Sequence, residues 1–190
     1  MTRTVAFWIG LFCAVTLPIA AAGFSPLLAW RDPIYIIAGF AGITAMVGLL
    51  LQTLLASRAL PTIHPMTQRK LHRIMGVLLV AAIIAHVGGL WITSPPDVID
   101  ALLFASPTPF SLWGVIAMWG IFATAAFAVL RRRLRPRTWQ RIHKTLAVII
   151  VLTTVLHAYL IDGTMEPITK IGLSLVLLFT TYRAVFKQAR

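Results

Sequence analysis

The sequence predicts an all-α integral membrane protein, a six-helix bundle with both termini in the cytoplasm. Three observations predict it. Of 190 residues, 59% are hydrophobic and only 12% charged, against about a quarter charged in a soluble domain. Six apolar runs each approach the roughly 20 residues that a helix rising ~1.5 Å per residue needs to cross ~30 Å of hydrocarbon. Once those runs are taken as spans, basic and acidic residues separate onto opposite sides. The spans must be helical, because hydrocarbon offers no partner to free backbone N–H and C=O groups.

The spans lie near 4–24, 33–56, 71–93, 110–131, 139–161 and 167–186, and together make one transmembrane domain over 1–190. In the first, Arg3 precedes an apolar run from Val5 to Phe24. That run exceeds the ~7–15 residues of a signal-peptide core, so it reads as a retained helix, with Pro18 expected to kink it. Asp32-Pro33 separates the first two spans, and Pro61 and Pro65 precede the third. Ser94-Pro95-Pro96 ends the third, Ser106-Pro107 and Pro109 precede the fourth, and Pro136 and Pro167 mark the fifth and sixth. The single cysteine, Cys13, lies inside the first run. It reads as a packing residue and leaves no pair for a disulfide or a covalent haem motif.

Charge sets the orientation. Arg3, Arg58, Arg69, Lys70, Arg73, Arg131, Arg132, Arg133, Arg135, Arg137, Arg141, Lys144, Arg183, Lys187 and Arg190 fall on one side of the six spans. All five acids, Asp32, Asp97, Asp100, Asp162 and Glu166, fall on the other. The basic side is the cytoplasmic one by the positive-inside rule, and a bacterial inner membrane is the expected location. The net charge of +12 is thereby a topology and lipid-contact signal. No nucleic-acid partner is expected, since there is no soluble module on which bases could stack.

Two spans carry the chemistry. LHRIMGVLLVAAIIAH runs from Leu71 to His86, and IHKTLAVIIVLTTVLH from Ile142 to His157. Each has histidines fourteen residues apart, a basic residue after the first (Arg73, Lys144) and a small residue four positions on (Gly76, Ala147). Fourteen residues is just under four turns, so each pair shares a helix face over ~21 Å of axis. Spans three and five run parallel, which predicts two cross-helix pairs: His72 with His143 near the cytoplasm, and His86 with His157 deeper, towards the outer side.

Two imidazoles on opposite sides of a flat macrocycle are what a haem iron needs as axial ligands. Gly76, Ala147, Gly88 and Gly89 are candidates to let such a ring approach, and Arg69, Arg73, Arg141 and Lys144 to meet its propionates. Each histidine has a plainer reading, as a hydrogen bond between membrane helices or as an interfacial residue. Four at matched spacing on parallel helices are harder to explain that way, and polar groups inside a bilayer are costly enough to be functional by default. A metal or proton transporter built on these histidines is the alternative from another class; it expects acidic or thiolate partners within the spans, and there are almost none. His64 reads as a solvated loop residue, Trp91, Trp113 and Trp139 as interfacial anchors, and the arginine run from 131 to 133 as a headgroup and topology feature.

The motifs QRKLHRIMG with AHVGG, and WQRIHKTLA with VLHAYL, resemble those of the ferric reductase-like transmembrane superfamily. That superfamily includes NADPH oxidase cores, eukaryotic ferric reductases and the haem-binding subunit of bacterial periplasmic methionine sulfoxide reductase systems. The resemblance implies haem b, two per chain, with His72, His86, His143 and His157 as the iron ligands. It implies electron transfer from a separate cytoplasmic flavoprotein reductase or membrane quinol to an acceptor on the outer side. With the interior negative, outward movement of an electron is favoured by ~2.3 kcal/mol per 100 mV. Two departures matter. No Gly-rich phosphate loop follows a strand, so no FAD or NAD(P) site is expected in this chain, and it reads as an electron-transfer subunit with no catalytic residue of its own. WQRIHK is similar to the methionine sulfoxide reductase haem subunit, but that subgroup lacks the histidine that His72 supplies. A one-haem subunit of that type is the nearest alternative.

Overall fold

A computed structural model describes residues 2–186. Its helices are α1 (Thr2–Gly23), α2 (Pro33–Ala56), α3 (Pro65–Thr93), α4 (Pro95–Leu102), α5 (Pro109–Leu130), α6 (Pro136–Leu160) and α7 (Pro167–Phe186). Short 3-10 turns occupy Pro26–Leu28 and Arg131–Arg133, and the described residues contain no strand. All the helices except α4 are long and apolar enough to cross a membrane.

Every helix after α1 begins on a proline. The first turn of a helix leaves its N–H groups without partners, so a residue that lacks one costs nothing there. At α2 and α3 a side chain satisfies the next donor. Asp32 Oδ1 accepts from the N–H of Ile34 at 2.7 Å, and His64 Nδ1 accepts from Met66 at 3.3 Å. His64 is therefore the exposed N-cap of α3. The cap explains why α3 starts at Pro65, six residues before the predicted span. Its first turns are polar and extend the helix beyond its apolar part. The short α4 falls in a segment expected to be loop; Pro95 and Pro96 end α3 and at the same time occupy the proline-tolerant start of the next helix.

Glu166 caps α7 with both oxygens, accepting from Ile168 at 2.9 Å and Thr169 at 2.7 Å. These backbone donors, Thr169 foremost, hold its carboxyl below the usual glutamate range. A depressed folded-state value means the capping contribution is present above the unfolded value of about 4.3 and is lost as pH falls through the folded one. Hydrogen exchange at Ile168 and Thr169, corrected for intrinsic rate, should therefore lose protection on acidification. Glu166→Ala should show the same loss at neutral pH; protection that persists in the variant would exclude the carboxylate as the cap.

Two antiparallel hairpins carry the bundle: α3 packs along α2, and α6 along α5. α7 lies against α2 and α6, and α1 against α2 and α7. Leu50 of α2 and Leu177 of α7 are wholly buried, and Val151 of α6 nearly so. Between α2 and α7 the hydroxyls of Thr53 and Thr180 are paired at 2.8 Å, so neither is left unsatisfied in an apolar interface. Glycines permit the closest approaches within the hairpins: a Cβ at Gly120 would lie 2.8 Å from Ile150. Arg69, Arg73, Arg141 and Lys144 gather at one end of the bundle, here called basic, and the five acids at the other, here called acidic. Lys187 and Arg190 of the charge pattern lie outside the described residues. Arg31, over the ring of Tyr35, and Lys170 are the two basic residues at the acidic end; Lys170 is the one drawn inside. It is buried, and its Nζ donates to the carbonyl of Ile161 at 3.0 Å.

Candidate functional site

α3 and α6 run parallel but are not among the closely packed helix pairs; they face each other through histidines. The rings of His72 and His143 have centroids 6.1 Å apart and planes at 78°. Those of His86 and His157 are 6.4 Å apart at 79°. The first pair lies towards the basic end and the second towards the acidic end.

The second nitrogen of each ring decides what the first can do. His86 Nδ1 is 2.7 Å from the carbonyl of Ala38 on α2, and His157 Nδ1 is 2.8 Å from that of Phe110 on α5. His72 Nδ1 meets the carbonyl of Gln52 on α2 at 3.2 Å. A carbonyl can only accept, so Nδ1 must donate in all three. The tautomer is thereby fixed with the proton on Nδ1, and Nε2 presents a free lone pair, the arrangement that orients a metal-binding imidazole. His143 differs. Its Nδ1 is buried without a hydrogen-bond partner among the described residues, a cost of about 1–3 kcal/mol. The Trp139 ring lies over it instead, 4.9 Å between centroids and tilted by 31°.

Two glycines make the carbonyl contacts possible, and sequence reasoning missed both. A Cβ at Gly42 would lie 3.0 Å from the His86 ring, and one at Gly114 would lie 2.7 Å from His157 Nδ1. Each glycine follows the accepting residue by four positions, Ala38 then Gly42 and Phe110 then Gly114. Side chains tilt towards the helix N-terminus, so a side chain there would cover the carbonyl one turn back. The available signal was a second repeat, GITAMVG at 42–48 and GVIAMWG at 114–120.

The remaining site candidates are distributed as follows. Gly76 faces α2, where an added Cβ would meet Gln52 Nε2 at 3.2 Å, and Gln52 Oε1 is the other buried polar atom without a partner among the described residues. Gly89 faces Ala38, whereas Gly88 meets nothing within 4 Å. Arg69 is exposed, with Nη1 3.9 Å from Met66 Sδ, and Arg73 is exposed one residue from His72. Arg141 and Lys144 line a cavity of about 180 Å³ with Arg137 and Gln140. Lys144 is also tied to α7, its Nζ donating to the carbonyl of Val185 at 3.1 Å. At the acidic end, a polar cavity of about 450 Å³ opens between Trp30–Tyr35 and Thr93–Asp97. Thr93 stands ~10 Å along α3 from His86.

Chemically, the pairs suit a metal whose other ligands come from elsewhere. Among the described residues no three His, Cys, Asp or Glu side chains converge, so a bare ion at either pair would find two such side chains at most. A metal bound linearly by two imidazoles at about 2 Å from each Nε2, with about 1.1 Å from nitrogen to ring centre given ring bonds near 1.33 Å, sets the centroids ~6.2 Å apart. The observed 6.1 and 6.4 Å fit that spacing at both levels. No curated protein and no solved structure matches the chain. A family model does: the one described as ferric reductase like transmembrane component matches residues 38–154, which takes in both hairpins, all but the first residues of α2 and all but the last turns of α6. The match covers more than half of the sequence and three of the four paired histidines, His157 lying just beyond its end, and the chain belongs to the ferric reductase-like transmembrane family.

Proposed function

We propose that this membrane electron-transfer component is a di-haem b-type subunit. It passes electrons from a cytoplasmic flavoprotein or a membrane quinol to an acceptor on the outer side. The observation that carries the reading is two pairs of imidazoles that meet at 6.1 and 6.4 Å between parallel helices, three of the four with Nδ1 engaged by a backbone carbonyl so that Nε2 is left to ligate. His72 and His143 would hold the group at the basic end, and His86 and His157 the one at the acidic end. Haem supplies one-electron chemistry when bound, its iron alternating between ferric and ferrous states.

The chain's own residues do the rest. The carbonyls of Ala38, Phe110 and Gln52 hold Nδ1–H and aim Nε2 between α3 and α6. The lipid-facing helices exclude water from the interior. Arg137, Arg141 and Lys144 give the basic end an anion-binding rim suited to propionates or to an acidic donor, and the cavity beside Tyr35 and Thr93 opens the acidic end to an acceptor. The charge separation supports placing the basic end, and with it both termini, on the cytoplasmic side.

The test is the absorbance spectrum of the purified protein together with its haem content. A reduced α-band of b-type character with two haems per chain by pyridine haemochrome is the expected result. A single haem would favour the methionine sulfoxide reductase-type alternative. A colourless protein produced with ample haem would overturn the reading and return the histidines to an ion or proton pathway.

A further inference from the structure

We propose that the two histidine pairs hold their cofactors unequally. The acidic-end pair is the tight site and fills first; the basic-end pair is the weak site and fills last, with His143 as its loose member. The proposal rests on the di-haem reading and concerns what that reading leaves open, the order and strength of loading.

The asymmetry lies in the helices behind the rings. α2 and α5 serve α3 and α6 in the same antiparallel register. On α2, Ala38 stands opposite His86 and Gln52 opposite His72. On α5, Phe110 stands opposite His157, and the fourteen-residue step that leads from Ala38 to Gln52 on α2 leads from Phe110 to Thr124, opposite His143. The residue four positions beyond each carbonyl differs between the ends. It is Gly42 and Gly114 at the acidic end, but Ala56 and Ala128 at the basic end. The ring-to-carbonyl contacts follow this pattern. They are 2.7 and 2.8 Å where glycine uncovers the carbonyl, and 3.2 Å beside Ala56. Where the register places Thr124 and Ala128, His143 Nδ1 has no hydrogen-bond partner among the described residues.

Trp139 does not replace the missing bond. Stacked one turn before His143, it restrains the plane of the ring but leaves its proton free to sit on either nitrogen, and a proton on Nε2 blocks ligation. At the matching position of α3 stands Gln68, which is buried and spends its amide on the carbonyls of Leu60 and Ile63. Hydrogen bonds of this outer kind are typically worth 10–100-fold in metal affinity. The basic-end pair, with one long bond and one missing, should be weaker by that factor. When haem is scarce the chain would then fill at the acidic end alone, and electron transfer across it would track occupancy of the weaker site.

The experiment titrates hemin into the apoprotein in lipid nanodiscs, following absorbance and counting haem by pyridine haemochrome. The unaltered chain should take up two equivalents in two phases whose dissociation constants differ by about 10–100-fold. His143→Ala should remove the weak phase and keep the tight one, and His157→Ala should do the reverse. Gly114→Ala, whose methyl would crowd His157 Nδ1, should convert the tight phase to a weak one while the other phase stays unchanged. Two equivalents bound with equal affinity, or a tight phase lost with His143→Ala, would overturn the proposal and leave the di-haem reading intact. A chain that takes up no haem would overturn both. The biphasic titration needs no variant, so the outcome does not depend on any substitution folding.

Discussion

Replacing both His86 and His157 with alanine should lower the haem content from two per chain to one. It should also cut electron transfer across sealed proteoliposomes to the rate of protein-free vesicles. The two rings meet at 6.4 Å near the acidic end, each with its Nδ1 held by a carbonyl that fixes its tautomer. With both gone, no other histidine is within reach: His64 caps α3 at the opposite end, and the remaining two make up the basic-end pair. The fold should survive. The carbonyls of Ala38 and Phe110 keep their helical partners, so the loss is about 1 kcal/mol per hydrogen bond, set against the packing of two intact hairpins. Helical content and thermal midpoint are the controls. A double variant that still carries two haems would place the outer cofactor elsewhere, and one that loses ion flux but never had an α-band would favour the transporter alternative.

What could be read from the letters, and what could not, follows from which physical constraint each feature answers to. The six spans were legible because hydrocarbon permits so few solutions; a run such as Ile34–Leu55 has no other way to satisfy its backbone. The histidine spacing was legible for a related reason. On parallel helices a sequence interval is a vertical distance, so His72 and His86 could be assigned levels before any packing was known. The carbonyls of Ala38, Gln52 and Phe110 were not legible, because a backbone acceptor has no letter of its own. Gly42 and Gly114 acquire meaning only once the antiparallel register of the hairpins is known. Until then they look like any small residues in a membrane helix. Trp139 was expected as an interfacial anchor, but its contact with His143 was not legible, since helical periodicity places it one turn away but does not say which neighbour it will touch. Lys144 was expected as a cation at the basic rim, but the partner its Nζ reaches was not legible. It reaches the end of α7, where a helix presents unpaired carbonyls to a cation. The α4 helix escaped notice because eight residues at a rim satisfy neither a span's length nor its hydropathy.

Two adjacent glycines should respond in opposite ways to the same substitution. Gly89→Ala places a methyl 2.8 Å from the Cβ of Ala38 and 3.3 Å from the carbonyl of Ile34, against backbone and a side chain that cannot rotate away. The helices must separate, and overpacking of this kind costs about 1–3 kcal/mol. The separation falls at Ala38, whose carbonyl anchors His86 at 2.7 Å, so the damage reaches the site. The acidic-end haem should bind about 10-fold or more weakly, as expected when a ligand loses its outer hydrogen bond. Gly88→Ala meets nothing within 4 Å. It gains the helix preference of alanine over glycine, up to about 1 kcal/mol, and should leave haem affinity unchanged. Thermal unfolding in a fixed lipid or detergent, paired with hemin titration, reads both effects. If the two variants behave alike, the close α2–α3 contact does not set the position of His86, and the glycine register on which both hairpins are argued is wrong. If they diverge as expected, a one-methyl change outside the pair will have moved a ligand through nothing but helix packing and a backbone carbonyl.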